Sequence, residues 1–463
     1  MTDTLKRLPA VLLSLVLPLS AGAQAPPLAV AADGRSLEAG GDPFFWLGDT
    51  GWLMLSRLDR AETEYYLRTR REQGFNVIQA MVLHTPQMAT AAGAPALTDG
   101  DPARPRVTPG SDPDESDEYD YWDHLDWVVS LAAELGMYLA LVPCWGTVAD
   151  AGALNADNAE AYGRFLGERY RGKPNIVWLN GGDTLGASNT ETWSILGRTL
   201  KHYDPDRLMT FHPYGRTDSS WWFHDAPWLD FNMFQSGHAS YAQDPDGRGE
   251  DNWSYAQEDW AREPAKPVID GEPSYENIPH GLHYAEAPRW TAADVRRYAW
   301  WAALSGAAGH TYGENSVMQM FVPGRHEPAF HAAIPWKEAL ESPGAGQMRY
   351  LKDFMLSRPA DGRRPAPAAV VDNGEGHERI PVLQGDGYMI AYVYTGRPFR
   401  LRLGQLQGSA VTARWYSPRD GHFTDVGLRD NAGIASFDPP GAEAPGNDWV
   451  LLLETSAEPA LTN

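Results

Sequence analysis

The chain has 463 residues, a formal net charge of −23 and a sequence pI of about 4.9. This length exceeds one ordinary domain, so one large unit, such as an α/β barrel, and one smaller unit are expected. The acidic balance argues against nucleic acid as a partner, because a polyphosphate would be repelled. The 18 Trp and 20 Tyr residues carry flat side chains with a polar edge, which suit sugar faces as well as protein cores.

The N-terminal residues have the pattern of an export signal. Lys6 and Arg7 precede an apolar run over residues 8–19, and residues 21–23 (AGA) supply the small side chains that a signal peptidase accepts. Residues 1–23 are therefore predicted to be a cleavable signal peptide, which implies a periplasmic or secreted protein. No later apolar run is long enough to span a bilayer, so no membrane partner is expected.

Strands and helices are predicted to alternate eight times between residues 44 and 313. The predicted strands are Phe44–Gly48, Phe75–Leu83, Met137–Cys144, Asn175–Asp183, Leu208–Phe211, Asp230–Phe234, Val268–Asp270 and His310–Gly313. Eight such units fit a closed (β/α)8 barrel better than an open sheet, and no Gly-rich dinucleotide fingerprint follows the first strand. Residues 24–360 are therefore predicted to form an α/β barrel of this type.

The composition of the sequence changes over residues 358–367, which are rich in Pro, Gly and Arg and indicate a linker. Short apolar segments separated by turn residues follow it. In one of them Phe399, Leu401 and Leu403 alternate with arginines, which is the period of a half-buried strand. Residues 361–463 are predicted to form a small antiparallel β-sandwich.

Two acidic residues end short apolar strands. Asp183 closes the segment NIVWLNGGD and Glu272 lies in PVIDGEP. The carboxyl ends of barrel strands meet on one face, so these two acids are expected to form a carboxylate pair there. Gly181 and Gly182 are expected to leave room for a ligand beside Asp183.

Seven segments resemble a known family. They are FFWLGDT (44–50), QGFNVIQ (73–79), WLNGGD (178–183), HPYG (212–215), WLDFNMFQSGH (228–238), GEPSYE (271–276) and GHTYG (309–313). The sequence resembles the apiosidase-like glycoside hydrolases, family 140, over nearly the whole mature chain, and YSPRDG at 416–421 resembles part of the β-domain that follows the barrel in that family. The resemblance implies a retaining glycosidase, with Asp183 as acid/base after strand four and Glu272 as nucleophile after strand seven.

Hydrolysis with retention of the anomeric configuration requires such a pair of carboxyl groups. It needs a protonated carboxyl beside the leaving oxygen and an ionised carboxylate about 5–5.5 Å away. The alternative interpretation of Asp183 is a helix N-cap, and that of Glu272 is a salt-bridged strand end. The glycine pair before Asp183 and the DGEP context of Glu272 favour catalysis over both alternatives.

Seven further residues at or near strand ends are candidate substrate contacts: Asp49, Trp145, His212, Gln235, His238, Tyr275 and Tyr312. Asp49 can equally fix its own loop, His238 can be a structural histidine, and Trp145 taken alone is more typical of a core. No zinc site is predicted, because the histidines lack HExxH or comparable spacing. No other metal or cofactor is expected.

The sequence thus predicts an exported retaining glycoside hydrolase whose partner is an oligo- or polysaccharide. The preferred substrate is apiose on pectic side chains of the plant cell wall. A second possibility keeps the two acids but hydrolyses another furanoside or a β-pyranoside. The third is a non-catalytic carbohydrate-binding protein that uses its β-domain. Linkage specificity and oligomeric state are left open.

Overall fold

The structure, a computed structural model, describes residues 25–245 and 247–456. The predicted signal peptide lies outside these residues, and no helix within them is both long and apolar enough to cross a membrane. An antiparallel sheet opens the described chain, with strands β1 (Leu28–Val30), β2 (Leu37–Ala39) and β3 (Asp42–Phe44). It packs against the N-terminal ends of the barrel strands, where the rings of Phe44 and Tyr138 are 5.3 Å apart.

The predicted barrel is confirmed. Its sheet contains β4 (Trp46–Thr50), β5 (Val77–Met81), β6 (Tyr138–Val142), β7 (Ile176–Thr184), β8 (Met209–Pro213), β9 (Thr217–Asp218), β10 (Asn232–Gln235), β11 (Val268–Asp270) and β12 (Gly309–Tyr312). The strand order is β8-β7-β6-β5-β4-β12-β11-β10-β9, and only β9 pairs in the antiparallel sense within this sheet. The amide of Asp230 donates to the carbonyl of Met209 at 2.8 Å and so closes the ring between β8 and β10.

Helices surround the barrel. They are α1 (Met54–Arg57), α2 (Arg60–Glu72), α3 (Tyr121–Glu134), α4 (Gly146–Asp150), α5 (Ala159–Tyr170), α6 (Thr190–Tyr203), α7 (Ser220–Phe223), α8 (Asn252–Trp260), α9 (Ala292–Leu304), α10 (Asn315–Met318), α11 (Trp336–Ala339) and α12 (Pro343–Leu356). Helix α2 begins at a capping box, in which the amide of Glu62 donates to Asp59 at 2.8 Å.

Side chains along the barrel strands alternate between two layers. Trp46 on β4, Val77 on β5 and Val177 on β7 belong to the cluster inside the barrel, whereas their neighbours Leu47 and Ile78 pack outward against the helices. This is the two-residue period of a β-strand. It decides which residues near the strand ends can face a cavity at the mouth of the barrel.

The predicted sandwich follows. Its strands are β13 (Arg364–Pro365), β14 (Val370–Val371), β15 (Val382–Gly385), β16 (Tyr388–Val393), β17 (Phe399–Arg402), β18 (Ala410–Tyr416), β19 (Phe423–Asp430), β20 (Ile434–Phe437) and β21 (Trp449–Thr455). They form two antiparallel sheets, β13-β15-β16-β21-β18-β19 and β14-β17-β20, around one apolar cluster. The alternation predicted for β17 is confirmed, since Phe399 and Leu401 are buried and the two arginines between and after them are exposed.

A buried ion pair joins the barrel to the sandwich. Arg296 on α9 donates from Nε and Nη2 to the two carboxylate oxygens of Asp448, at 2.9 and 2.8 Å. The Tyr392 hydroxyl donates to the same carboxylate at 3.0 Å, and its ring lies parallel to that of Trp300. The side chains of Arg296 and Asp448 are 5% and 0% exposed, so the buried charge of Arg296 depends on Asp448 for its stabilisation.

A second contact reaches from the sandwich to the loop between β10 and α8. Glu250 in this loop accepts hydrogen bonds from Arg297 of α9 at 2.5 Å and from His377 of the sandwich at 2.8 Å. The amide of Tyr241 donates to the same carboxylate at 3.2 Å. Although burial raises the pKa of Glu250, the hydrogen bond from His377 and the charge of Arg297 bring it down to about 2. The loop is therefore tied to both domains.

Replacing Asp448 with Ala is expected to lower the free energy of unfolding by about 3–5 kcal/mol, because the Arg296 charge is left buried without a partner. Asp372→Ala is the matched control: its ion pair with Arg400, at 2.6 Å, lies at the surface with side chains 81% and 52% exposed. That loss should cost less than about 1 kcal/mol. Denaturant unfolding of both variants measures the difference. Equal losses of stability would contradict the view that the buried ion pair stabilises the contact between barrel and sandwich.

Candidate active site

Strand β7 carries Asp183 into the mouth of the barrel through a distorted strand end. Gly181, Gly182 and Asp183 have φ values of +81°, +115° and +49°, a region that glycine adopts freely and that Asp tolerates better than most residues. The pairing of β7 with β8 shifts register at this point. The distortion turns the Asp183 side chain out of the regular alternation of the strand.

The glycines are required by protein packing. A Cβ atom on Gly181 would lie 2.6 Å from the ring of Phe211, and one on Gly182 would lie 2.7 Å from the ring of Trp145. The expectation that these glycines leave room for a ligand is therefore wrong, because aromatic side chains already fill that space. The pair still serves the site, since it lets Trp145 pack directly beneath the acid.

Glu272 follows β11 and lies between two histidines. Its Oε1 is 3.1 Å from Nε2 of His238, and its Oε2 is 3.3 Å from Nε2 of His212, the second contact being less well aligned for hydrogen bonding. Burial raises the pKa of Glu272, but the two histidines outweigh it and bring the pKa down to about 2. The carboxylate is therefore ionised at neutral pH.

His212 connects the two acids. The backbone amide of Asp183 donates to Nδ1 of His212 at 3.2 Å, so Nδ1 is the accepting nitrogen and the ring proton sits on Nε2. This tautomer aims an N–H at Glu272. One imidazole on β8 thus fixes the backbone position of one acid and stabilises the charge of the other.

Asp183 has the opposite electrostatic character. Burial and the negative charge of Glu272 raise its pKa to about 6, against the smaller opposing effects of His212, His238 and Gln235. The cavity thus contains one carboxyl that keeps its proton into the mildly acidic range and one that gives it up readily. Such a separation assigns an acid and a base within one site.

The two acids face a cavity of about 450 Å³ at the carboxyl ends of the strands. Four of the predicted substrate contacts also line it: Trp145, Gln235, His238 and Tyr275. His212 is fully buried and reaches the site through Glu272. Among the residues described here, no group of three or more His, Cys, Asp or Glu side chains is arranged to hold a metal ion.

The structure does not bring Asp49 and Tyr312 to this cavity. Asp49 accepts hydrogen bonds from Arg70 at 2.7 Å and from the Tyr66 hydroxyl at 2.5 Å, in the layer between the barrel and its helices. The Tyr312 hydroxyl donates to Glu276 at 2.6 Å in the same layer. Both side chains point outward from the barrel towards the helices. They therefore cannot contact a substrate in the cavity, although they lie near strand ends.

Trp52 and Gln79 are among the residues of the site that sequence reasoning missed. Trp52 lines the cavity, and its Nε1 donates to the Tyr275 hydroxyl at 2.9 Å. Gln79 lies inside the barrel on β5 and donates across it to the carbonyl of Gly271 at 2.8 Å, which fixes the backbone next to Glu272. A signal was present for Gln79, because a polar amide in the inward phase of an apolar strand needs a partner.

Residues 31–361 match the family model described as "Apiosidase-like, catalytic domain". The chain belongs to this apiosidase-like family. Residues 365–454 match a second family model, described as "Putative collagen-binding domain of a collagenase". Among curated proteins, none matches this chain.

Solved structures of similar proteins agree with the apiosidase-like assignment. One, named a glycoside hydrolase, is 42% identical with a TM-score of 0.88, over 94% of this chain and 98% of that one. Another, named a glycoside hydrolase family 5 from Bacteroides vulgatus ATCC 8482, is 41% identical with a TM-score of 0.87, over 92% and 93%. The apiosidase-like protein is a glycoside hydrolase.

Replacing Asp183 with Asn should stabilise the folded protein at pH 8. The folded pKa of about 6 lies above the unfolded value of about 3.9, so the stability from the protonated carboxyl is complete below about pH 4 and lost as pH rises through about 6. At about 1.4 kcal/mol per pKa unit, reduced because Asp183 is partly exposed, the gain at pH 8 is about 1–3 kcal/mol. Asn also tolerates the positive φ.

Glu272→Gln is the control with the opposite sign. Its folded pKa of about 2 lies below the unfolded value of about 4.3, so the stability from the ionised carboxylate is present above about pH 4 and lost as pH falls towards 2. This variant should be less stable than the parent at pH 8. Denaturant unfolding at pH 4 and pH 8 gives both comparisons, and a gain for Asp183→Asn that is equal at the two pH values would refute the raised pKa.

Proposed function

We propose that this glycoside hydrolase cleaves its substrate with retention of configuration, using Asp183 as general acid/base and Glu272 as nucleophile. The supporting observation is the pair of carboxyls in one cavity with pKa values of about 6 and about 2. A retaining mechanism requires one proton donor and one ionised carboxylate beside the same bond. Each acid has the protonation state that its role demands.

The first step breaks the glycosidic bond. Asp183 gives its proton to the leaving oxygen while a carboxylate oxygen of Glu272 attacks the anomeric carbon, so an alcohol departs and a glycosyl ester of Glu272 forms. Once Glu272 is esterified, the N–H groups of His212 and His238 no longer face a full negative charge.

The second step uses the coupling between the two acids. The charge of Glu272 is one of the causes that raise the pKa of Asp183, and this charge disappears when Glu272 is esterified. The pKa of Asp183 therefore falls in the intermediate, which suits its new role as a base. Asp183 takes a proton from water, water attacks the anomeric carbon, and the ester bond to Glu272 breaks.

The substrate proposed for this site is apiose carried on pectic side chains of the plant cell wall. The apiosidase-like description of the matched family supports this choice. Export by the signal predicted in residues 1–23 would bring the enzyme to such polymers outside the cytoplasm. The second candidate is another furanoside or a β-pyranoside hydrolysed by the same two acids, since the 41%-identical relative is named only as a glycoside hydrolase of family 5.

Hydrolysis assays decide between the candidates. We expect apiose to be released from apiosyl-linked pectic oligosaccharides, and expect nitrophenyl β-galactoside and β-mannoside to react at least 100-fold more slowly in kcat/KM. Faster cleavage of a pyranoside would replace the apiose assignment while keeping the two acids. Binding of pectic glycans without turnover by the intact enzyme would favour a carbohydrate-binding protein.

The two acids should fail in different ways when they are replaced. Glu272→Gln should abolish turnover on every substrate, because no glycosyl ester can form. Asp183→Ala should lose about 10²–10⁴-fold on a natural leaving group and far less on a nitrophenyl glycoside, which leaves without protonation. Initial rates on both substrate types measure the contrast.

Added azide supplies the stereochemical control. Azide needs no general base, so it should restore turnover in Asp183→Ala and give a glycosyl azide of retained configuration, identified by NMR. In Glu272→Gly azide occupies the place of the nucleophile, so the product should have inverted configuration. A retained azide from the Glu272 variant would show that the roles are wrongly assigned.

A further inference from the structure

Asp270 is a buried acid that neither step of the reaction uses. It is the last residue of β11, two residues before Glu272, and its side chain is fully buried. It does not line the catalytic cavity, so it cannot exchange a proton with a substrate there. Burial raises the pKa of Asp270 to about 7 and is offset only in part by its hydrogen bonds. A buried acid that contacts no substrate is expected to serve the residues that it binds.

The hydrogen bonds of Asp270 reach the neighbouring elements of the barrel. Its Oδ2 accepts from the Ser236 hydroxyl at 2.9 Å and from Nδ2 of Asn252 on α8 at 3.0 Å. The same Nδ2 donates to the carbonyl of Tyr298 on α9 at 2.8 Å. The Asp270 side chain therefore lies between the barrel and its helices, and it holds the segment that follows β10.

Ser236 begins the segment that carries one of the two histidines of the site. It lies two residues before His238, whose Nε2 is 3.1 Å from Oε1 of Glu272. Between them, the amide of Gly237 donates to the carbonyl of Glu272 at 3.1 Å, and its carbonyl accepts from the Ser274 hydroxyl at 2.8 Å. The chain after β10 is thus tied to the chain after β11 beyond the ends of both strands.

The direction of the Glu272 side chain depends on the same place. In a continued strand, residues 270 and 272 would point to the same side. Instead β11 ends at Asp270, which contacts α8, whereas Glu272 faces the cavity. The bend falls at Gly271, where a Cβ atom would overlap the sulfur of Met233. Asp270 therefore anchors the outer side of the bend that presents Glu272.

We propose that Asp270 is a positioning residue for hydrolysis, which holds His238 in contact with Glu272 through the Ser236 hydroxyl. The inference rests on the proposed role of Glu272 as nucleophile. Without the Asp270 carboxyl, the segment that carries His238 loses its anchor to the strand that carries Glu272. The imidazole then withdraws, and a buried carboxylate without this donor is harder to ionise. The nucleophile is then both less well placed and less often charged.

The pKa of Glu272 reports this contact without any hydrolysis. Glutamate labelled with 13C at the side-chain carboxyl is incorporated into the intact protein, and Glu272→Gln identifies the Glu272 signal by its loss. In the parent the two histidines bring the pKa down to about 2, so the signal should hardly move between pH 3 and pH 7. Asp270→Ala and Ser236→Ala should each raise this pKa to about 4 or higher, the lower figure being that of an unperturbed glutamate.

Asp204 provides a matched control on another strand. It is also a buried acid whose pKa is raised by burial, to about 6, and its carboxylate accepts from Nε1 of Trp178 on β7 at 3.1 Å. Trp178 does not line the cavity. Asp204→Ala should lower the melting temperature, as Asp270→Ala does, and leave the pKa of Glu272 unchanged. An equal rise of this pKa in the Asp204 variant would reflect general loosening of the barrel and would overturn the proposal.

Kinetics on apiosyl-linked pectic oligosaccharides give a second readout. At pH 5.5, Asp270→Ala and Ser236→Ala should each lose at least tenfold in kcat with little change in KM, because the nucleophile is displaced while the sugar contacts persist. The acidic limb of kcat/KM should move to higher pH, and the basic limb, set by Asp183, should stay near pH 6. A shift of the basic limb alone would mean that Asp270 acts through its charge on Asp183, which would contradict the positioning role.

The remaining outcomes are also decisive. A Glu272 pKa that stays near 2 in both Asp270→Ala and Ser236→Ala would overturn the proposal. Should Asp270→Ala fail to fold, Ser236→Ala removes only one hydroxyl and tests the same contact. Absence of hydrolysis on every candidate glycoside would refute the proposed function, whereas the NMR titration would still decide whether Asp270 controls the contact between His238 and Glu272.

Discussion

The site depends on keeping one buried carboxylate ionised. Water is withdrawn from Glu272, and this alone would favour its neutral form. The imidazoles of His212 and His238 replace the lost solvent, and they come from a strand and a loop far away in sequence. Only closure of the barrel brings them to the same carboxylate. The register of the sheet therefore also determines which charged and polar groups surround Glu272.

The surrounding packing supports this arrangement from beneath. Trp145 and Phe211 fill the space that two glycines leave open, and Gln79 spans the barrel to fix the residue before Glu272. These contacts position backbone and add no chemistry of their own. The acids themselves oppose folding in part, since Asp183 is held where its charge is unfavourable. Rigid neighbours make that local strain tolerable.

The eight parallel barrel strands, the position of the two acids and the sandwich could be predicted because alternation, strand-end position and turn chemistry are local properties of the sequence, whereas the short antiparallel β9 and the opening sheet β1–β3 were missed. Asp49 and Tyr312 show where this ends. Position near a strand end is a local property, but the direction of a side chain depends on the alternation along the strand. Asp49 lies two residues after Leu47, and Tyr312 two residues after His310, so both point towards the helices. The aromatic rings that fill the space beside Gly181 and Gly182 come from Phe211 and Trp145, which are far from them in sequence, so no local pattern could show these contacts.

The hydrogen bond from His377 to Glu250 limits how this protein can be recombined with its relatives. The loop that holds Glu250 also contains His238, which contacts the buried carboxylate of Glu272. An exchanged sandwich without an equivalent histidine would release one end of that loop. The barrel and the sandwich therefore form one structural unit, and a chimaera should take both domains from the same protein.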